Sequence, residues 1–212
     1  MKKLSLLAVT ALLACGQAVA DDIKADGQWR GVGGAAASFS SGNARNSTVN
    51  INLDAARITA ADKWSVYGQA LFAQSKDSND NTNTTANLWR AGTRYDYNLS
   101  DQVFAFGGLD LERDQLKHLN LRAGVNGGLG YHLIKTPETT WDVFGGLGYK
   151  VDRYASPGVL IDNDLRRTYT TPELILGEES SHRLTDTTSF KQRLVVYPNL
   201  RDTGEFRAIF DA

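Results

Sequence analysis

The chain carries three histidines, His118, His132 and His182, and two carboxylate-rich stretches, and these are the residues from which chemistry would have to be built. His118 is expected in a loop and His182 in a turn, so His132 alone should point into an enclosed space. A hydrolase of the acyl-transfer kind needs a serine and an orienting polar partner within hydrogen-bond reach of its histidine. No spacing in the sequence ties a particular serine to His132, and the chain is not expected to be an enzyme. Asp110, Glu112 and Asp114 recur at every second position. A hard-cation site needs several oxygens converging on one point, whereas residues two apart on a strand stand about 7 Å apart along it. Such a ladder lines a wall, so neither a metal site nor a cofactor is expected. With Arg94 and Arg122 on facing strands, an ion-pair network is the better reading. Its full expected membership is Arg90, Arg94, Asp96, Asp110, Glu112, Asp114, Arg122, Lys150, Asp152, Lys191 and Arg193. The polar stretch from Asp77 to Thr85 reads as solvated loop.

Three glycine-rich stretches follow one another: Phe106-Gly107-Gly108-Leu109, Gly127-Gly128-Leu129-Gly130-Tyr131 and Phe144-Gly145-Gly146-Leu147-Gly148-Tyr149. A phosphate cradle would open a helix after its glycines, and no helical pattern follows. Glycine inside a strand marks bending or close side-chain approach. Gly108, Gly128, Gly130, Gly146 and Gly148 share the polar face, where they are expected to make room for long charged neighbours.

The elements that must hold these residues are strands. In Val49-Asn50-Ile51-Asn52-Leu53-Asp54-Ala55 apolar and polar residues alternate strictly. Trp64, Val66, Ala70 and Phe72 share one face. Trp89, Ala91, Tyr95 and Tyr97 oppose Arg90, Arg94 and Asp96. Val103, Ala105, Leu109 and Leu111 oppose the acidic ladder, and Leu121 to Leu133 and Trp141 to Val151 continue the same rhythm. A helix, with its period of 3.6, cannot keep such sets on single faces. Counting Gln28–Ser40 first and Glu205–Asp211 last gives ten antiparallel strands, about nineteen residues per strand and turn, as in hairpin-built barrels.

The chain of 212 residues begins with Lys2 and Lys3, an apolar run from Leu4 to Ala14, and Ala18-Val19-Ala20 before Asp21-Asp22. This is the pattern of a signal peptide cleaved after Ala20. The alternative takes Leu12-Leu13-Ala14-Cys15 as a lipidation site, although Leu13 is a poor residue two places before the cysteine. Cys15 is the one cysteine, so cleavage after Ala20 excludes disulfides, thiolate zinc sites and cysteine nucleophiles together. It leaves 21 basic against 24 acidic side chains, a formal charge of −3, with no electrostatic pull toward nucleic acid. No later stretch is apolar for long enough to make a membrane helix.

Alternation does not say which face is out, but three features do. The polar face carries charges of both signs, which suits a wet lumen. Trp29, Phe39, Trp64, Tyr95, Tyr97, Tyr131, Trp141 and Tyr149 lie on the apolar face, several near strand ends, as interfacial girdles do. The links at Ala60 to Lys63, Asn98 to Asp101 and Lys135 to Thr140 are short, whereas Gln74 to Thr85 and Asp152 to Arg167 are long. That is the alternation of periplasmic turns and external loops. The expected fold is an all-β antiparallel transmembrane β-barrel.

Trp29-Arg30-Gly31, Ser40-Ser41-Gly42-Asn43, Glu112-Arg113-Asp114, Arg122-Ala123-Gly124, Gly128-Leu129-Gly130-Tyr131 and the run Glu178 to Asp186 together resemble the salt-induced outer membrane proteins, the family called domain of unknown function 481. The resemblance covers nearly the whole chain after the leader. It implies an outer-membrane barrel of Gram-negative bacteria, with no activity attached, and a link to the envelope's response to salt. It also implies two further strands, twelve in all, so the ten found here are expected to be truncated at the C-terminus. The expected partners are outer-membrane lipid, the barrel-insertion machinery, and small solutes or ions. A small porin with a charged lumen and an outer-membrane lipid hydrolase or acyltransferase remain as rival functions.

Overall fold

The computed structural model describes residues 25–41, 45–77, 81–161, 164–185, 188–202 and 204–212; the expected leader and Cys15 lie outside them. The strands are β1 (Trp29–Ser40), β2 (Arg45–Ile58), β3 (Asp62–Lys76), β4 (Thr82–Asn98), β5 (Val103–Asp114), β6 (Leu119–Lys135), β7 (Thr139–Tyr154), β8 (Val159–Ile161), β9 (Asp164–Arg166), β10 (Thr168–Thr185), β11 (Thr188–Pro198) and β12 (Phe206–Asp211). Ten of them form one antiparallel sheet in the order β1-β2-β3-β4-β5-β6-β7-β10-β11-β12, and β8 and β9 make a separate hairpin between β7 and β10. Each strand of the large sheet pairs with its sequence neighbour, as short links between antiparallel strands enforce, except that β10 pairs with β7 across the β8–β9 hairpin. Within this sheet β1 and β12 each pair on one side only.

The sheet is curled. Lys63 on β3 lies 2.8 Å from Glu179 on β10, and Arg90 on β4 lies 4.0 Å from Asp211 on β12, although neither pair of strands is adjacent in the sheet. Register then sorts the two faces. Trp29 stands opposite Arg57, Arg57 opposite Trp64, Trp64 opposite Tyr95, Tyr95 opposite Gly107, Gly107 opposite Gly127, Gly127 opposite Leu147, and Leu147 opposite Leu174. This row and every second residue from it form the outer face. All eight aromatics expected there are exposed on it, together with Leu53, Leu109, Val125, Leu129 and Leu147. The intervening residues point into the curl, and they include the whole charged set.

Several sequence expectations need correction. The link expected from Gln74 to Thr85 is shorter, because β3 runs on to Lys76 and β4 starts at Thr82. Polar residues such as Asn83 and Thr84 suit a strand end where both faces are wet. The link after Asp152 contains the β8–β9 hairpin, with Leu160 paired to Leu165. His182 is not in a turn: it pairs with Phe190 inside the β10–β11 ladder. The glycines do face inward, but backbone and side chains other than long charged ones take the room. A Cβ at Gly128 would sit 2.2 Å from the carbonyl oxygen of Gly145 and 2.5 Å from Cα of Gly146, so β6 and β7 touch there through bare backbone.

At Gly128, then, there is no room for even a small side chain. Gly128→Ser should destabilise the protein by about 1–3 kcal/mol through overpacking. Gly124→Ser on the same strand and face, where the nearest atom to a Cβ is 3.9 Å away, should stay within about 0.5 kcal/mol. Denaturant midpoints of the two variants in detergent check the order.

Candidate functional site

The interior is layered. At one level Phe104 and Phe106 from β5, Phe144 from β7, Ile175 from β10 and Val195 from β11 form the buried core. Strands whose inner faces carry glycine leave space for these rings. A Cβ at Gly130 would lie 2.1 Å from the ring of Phe104, and one at Gly177 would lie 2.4 Å from that of Phe144. Phe106 and Phe144 meet edge to face, their centroids 5.5 Å apart, a favoured arrangement of ring quadrupoles. Into this cluster β4 sends Arg94. Its guanidinium stands 4.6 Å from the centre of Phe106 and 4.4 Å from that of Phe144, and its Nε donates to Asp96 Oδ1 at 2.7 Å. Cation–π attraction gains strength where water is excluded.

Beside that layer Lys63 Nζ lies 2.8 Å from Glu179 Oε1, while Arg193 Nε approaches the other oxygen at 3.7 Å. The carboxylate thus ties β3 to β10 and β11. His132 stacks on Phe104 at 4.8 Å. Its Nδ1 lies 2.7 Å from Asp142 Oδ1 and its Nε2 lies 3.2 Å from Asn98 Oδ1, so both ring nitrogens are engaged.

On the other side of the aromatic layer, Asp110 accepts from Tyr67 OH at 2.5 Å and from Asn126 Nδ2 at 2.9 Å. Tyr67 reaches it by passing over Gly92, where a Cβ would fall 2.5 Å from the ring. Further along, Arg122 grips Asp152 with two donors, Nε at 2.7 Å and Nη2 at 2.9 Å, and reaches Glu112 with Nη1 at 3.3 Å. Lys150 donates to Glu173 at 2.9 Å, and Arg207 donates to the same carboxylate at 3.4 Å. A planar guanidinium fork matches a carboxylate in both reach and direction.

All eleven residues expected in the network face the interior, but not all of the expected pairings form. Arg122 does join Glu112 and Asp152. Arg94 does not meet the acidic ladder: it takes Asp96 on its own strand and the two phenylalanine rings. Asp110 is held by a tyrosine and an amide, and Asp114 by Lys117 of the adjoining turn at 2.9 Å. The ladder Asp110–Glu112–Asp114 is therefore split among three sets of partners. Lys150 and Arg193 pair with acids outside the expected set, Arg90 adds a 2.9 Å bond to Gln69, and Lys191 makes no ion pair among the described residues. Sequence reasoning missed Lys63, Tyr67, Phe104, Phe106, Phe144, Glu173 and Glu179. Parity would have found them: Phe104 and Phe106 share even numbers with Asp110, Phe144 with Asp142, and Glu173 and Glu179 oppose Leu174 and Leu176. The eye stops at aromatics on a polar face because an inward phenylalanine looks like an exception.

A curled antiparallel sheet with an apolar, exposed outer face and a packed, ion-paired interior defines a β-barrel protein. The family described as proteins of unknown function, DUF481, matches residues 33–210, and the chain belongs to it. No curated protein and no solved structure matches the chain.

The Arg122–Asp152 pair has a measurable weight. The Asp152 side chain is only 3% exposed, so Arg122→Leu leaves a buried carboxylate without its cation, at a cost of about 3–5 kcal/mol. Lys117→Ala removes a side chain that is 69% exposed and should cost no more than about 1 kcal/mol. Unfolding midpoints of the two variants, measured side by side, test this ranking.

Proposed function

We propose that the protein is a bacterial outer-membrane β-barrel whose packed interior blocks solute flow, serving the envelope structurally rather than as an enzyme or an open pore. The observation that carries this reading is the outer face. Leu147, Leu129, Leu109 and Val125 are 63%, 57%, 55% and 52% exposed, while the opposite face holds the eleven-residue charged set. A water-soluble barrel would turn these residues inward. A bilayer is the solvent that makes an apolar outside and a charged inside favourable together. Trp29 and Trp64, 5.7 Å apart, stand toward the strand ends where the short links cluster, as interfacial aromatics do.

Closure of the interior is supported by the layer of Phe104, Phe106, Phe144, Ile175 and Val195, and by Lys63–Glu179 bridging across it. Engagement of both His132 nitrogens supports a structural use of that histidine. A role in the envelope's response to salt, implied by the family resemblance, belongs to the same reading. It predicts that deletion of the gene slows growth at high sodium chloride and leaves growth at low salt unchanged.

Two experiments test the core of the proposal. Folded full-length protein should migrate differently on SDS gels before and after boiling, and should show no stable current in planar bilayers. Replacing Phe106 and Phe144 together by alanine should then open a measurable conductance. A soluble protein without heat-modifiable mobility sinks the membrane reading, and a steady wild-type current replaces the closed barrel by the porin. Placement of the outer face in lipid is read separately: Leu129→Arg or Val143→Arg should cost about 2–4 kcal/mol near the bilayer midplane.

A further inference from the structure

The outward charges of the ten-stranded sheet are not shared evenly between its two ends. At the end of the short links they are of both signs and are held: Arg57 lies 3.8 Å from Asp62, and Glu178 accepts from Trp141 Nε1 at 2.9 Å. At the other end, where the long β7–β10 link stands, the last outward positions include Arg45 on β2, Lys76 on β3, Arg113 on β5 and Arg153 on β7. No carboxylate shares those positions among the described residues. Arg45, Arg113 and Arg153 are exposed and make no ion pair among the described residues. The acids beside the last two in sequence are turned inward and taken, Glu112 and Asp152 by Arg122 and Asp114 by Lys117. Inside the same end, a cavity of about 410 Å³ is lined by Arg122, Lys150 and Arg207, but each of these holds a carboxylate. The unbalanced positive charge therefore lies on the outside of the wall.

Arg113 and Arg153 flank a single strand. Arg153 stands opposite Leu121 of β6, and Arg113 lies in the irregularity where Glu112 faces Arg122 and Asp114 faces Leu119. Two strand spacings separate them, about 10 Å, a gap that two long side chains can close on one headgroup. On the same face Leu111 and Leu109 follow Arg113, Tyr149 and Leu147 follow Arg153, and Val125 lies between the two rows, all exposed. Arginine at the rim of an apolar wall lays its stem on that wall and carries its charge to the interface. Its guanidinium fork matches the oxygens of a phosphate at two points. A free anion or an acidic protein would use the cations and leave the apolar rows beneath them bare, whereas a lipid covers both.

We propose that Arg113 and Arg153 bind the phosphate of an anionic lipid in the leaflet at the long-link end of the barrel, its acyl chains lying on the apolar rows below. The inference rests on the membrane location proposed above and adds to it the lipid class that this face selects.

Native mass spectrometry of the full-length protein folded in detergent tests it, with phosphatidic acid and phosphatidylcholine of identical acyl chains as probes. Phosphatidic acid should be retained about tenfold more strongly, as two interfacial cations imply, and the preference should shrink as sodium chloride rises. Replacing both residues, Arg113→Gln with Arg153→Gln, should abolish the preference, and each single change should reduce it. Arg57→Gln, which removes an outward arginine at the opposite end, should leave it unchanged. Inorganic phosphate at the same concentration should not displace the lipid. Equal retention of the two lipids overturns the proposal, as does an undiminished preference in the folded double variant or displacement by inorganic phosphate. Heat-modifiable mobility on SDS gels separates the two levels: a heat-modifiable barrel without lipid preference ends this proposal alone, and a soluble protein ends the membrane reading and this proposal with it.

Discussion

The guanidinium of Arg94, held between the rings of Phe106 and Phe144 and anchored by Asp96, is the contact around which the interior is organised. It joins β4 to β5 and β7 across the inside of the curl, where no backbone ladder links β4 with β7. A sheet curled this far encloses a space that its own inward side chains must fill. Here the filling is aromatic at one level and ionic on either side. Arg94 belongs to both, since its charge is neutralised by a carboxylate while its flat faces pack on rings.

That filling needs glycine. Phe104 lies over Gly130, Phe144 over Gly177 and Tyr67 over Gly92, at distances that leave no space for a Cβ. The glycines weaken their own strands, because glycine loses more conformational freedom on folding than any other residue. The rings they admit repay this with buried apolar area and with contacts between strands that are not neighbours. At Gly128 and Gly146 the same device goes further and lets backbone meet backbone, drawing β6 and β7 together. Small residues on three successive strands and large rings beside them are two halves of one packing solution.

The charged residues then divide by depth. The best-formed pair, Arg122 with Asp152, is bidentate and sits where the carboxylate is almost wholly covered. Pairs such as Lys63–Glu179 are more open and work chiefly as ties between distant strands. Buried pairs of this kind cost desolvation and do not by themselves make a protein stable. Their value here is positional: an unpaired charge on the inner face would be expensive, so each pair specifies which strands must come together.

How much of this was legible in the residues follows from what each feature depends on. Alternation is local. It assigned every member of the charged set to the inner face, placed all eight girdle aromatics outside and counted the ten strands of the main sheet, because a side-chain period of two leaves no other face available. Short connections likewise told which strands are neighbours. Pairing across the interior is not local. Whether Arg94 takes the acid ladder of β5 or Asp96 and two rings depends on how tightly the sheet curls. The curl depends on which glycines face which phenylalanines once register is set. Nothing in the stretch around His182 separates a turn from a continuing strand, since β11 decides it by pairing with Phe190. Sequence by itself therefore determined the faces, the strand order and the chemical character of the interior. Only the tertiary structure decided the partners, the packing of the interior and the cavity at one end of it, because these arise where residues far apart in the chain are brought within a few ångströms by curvature.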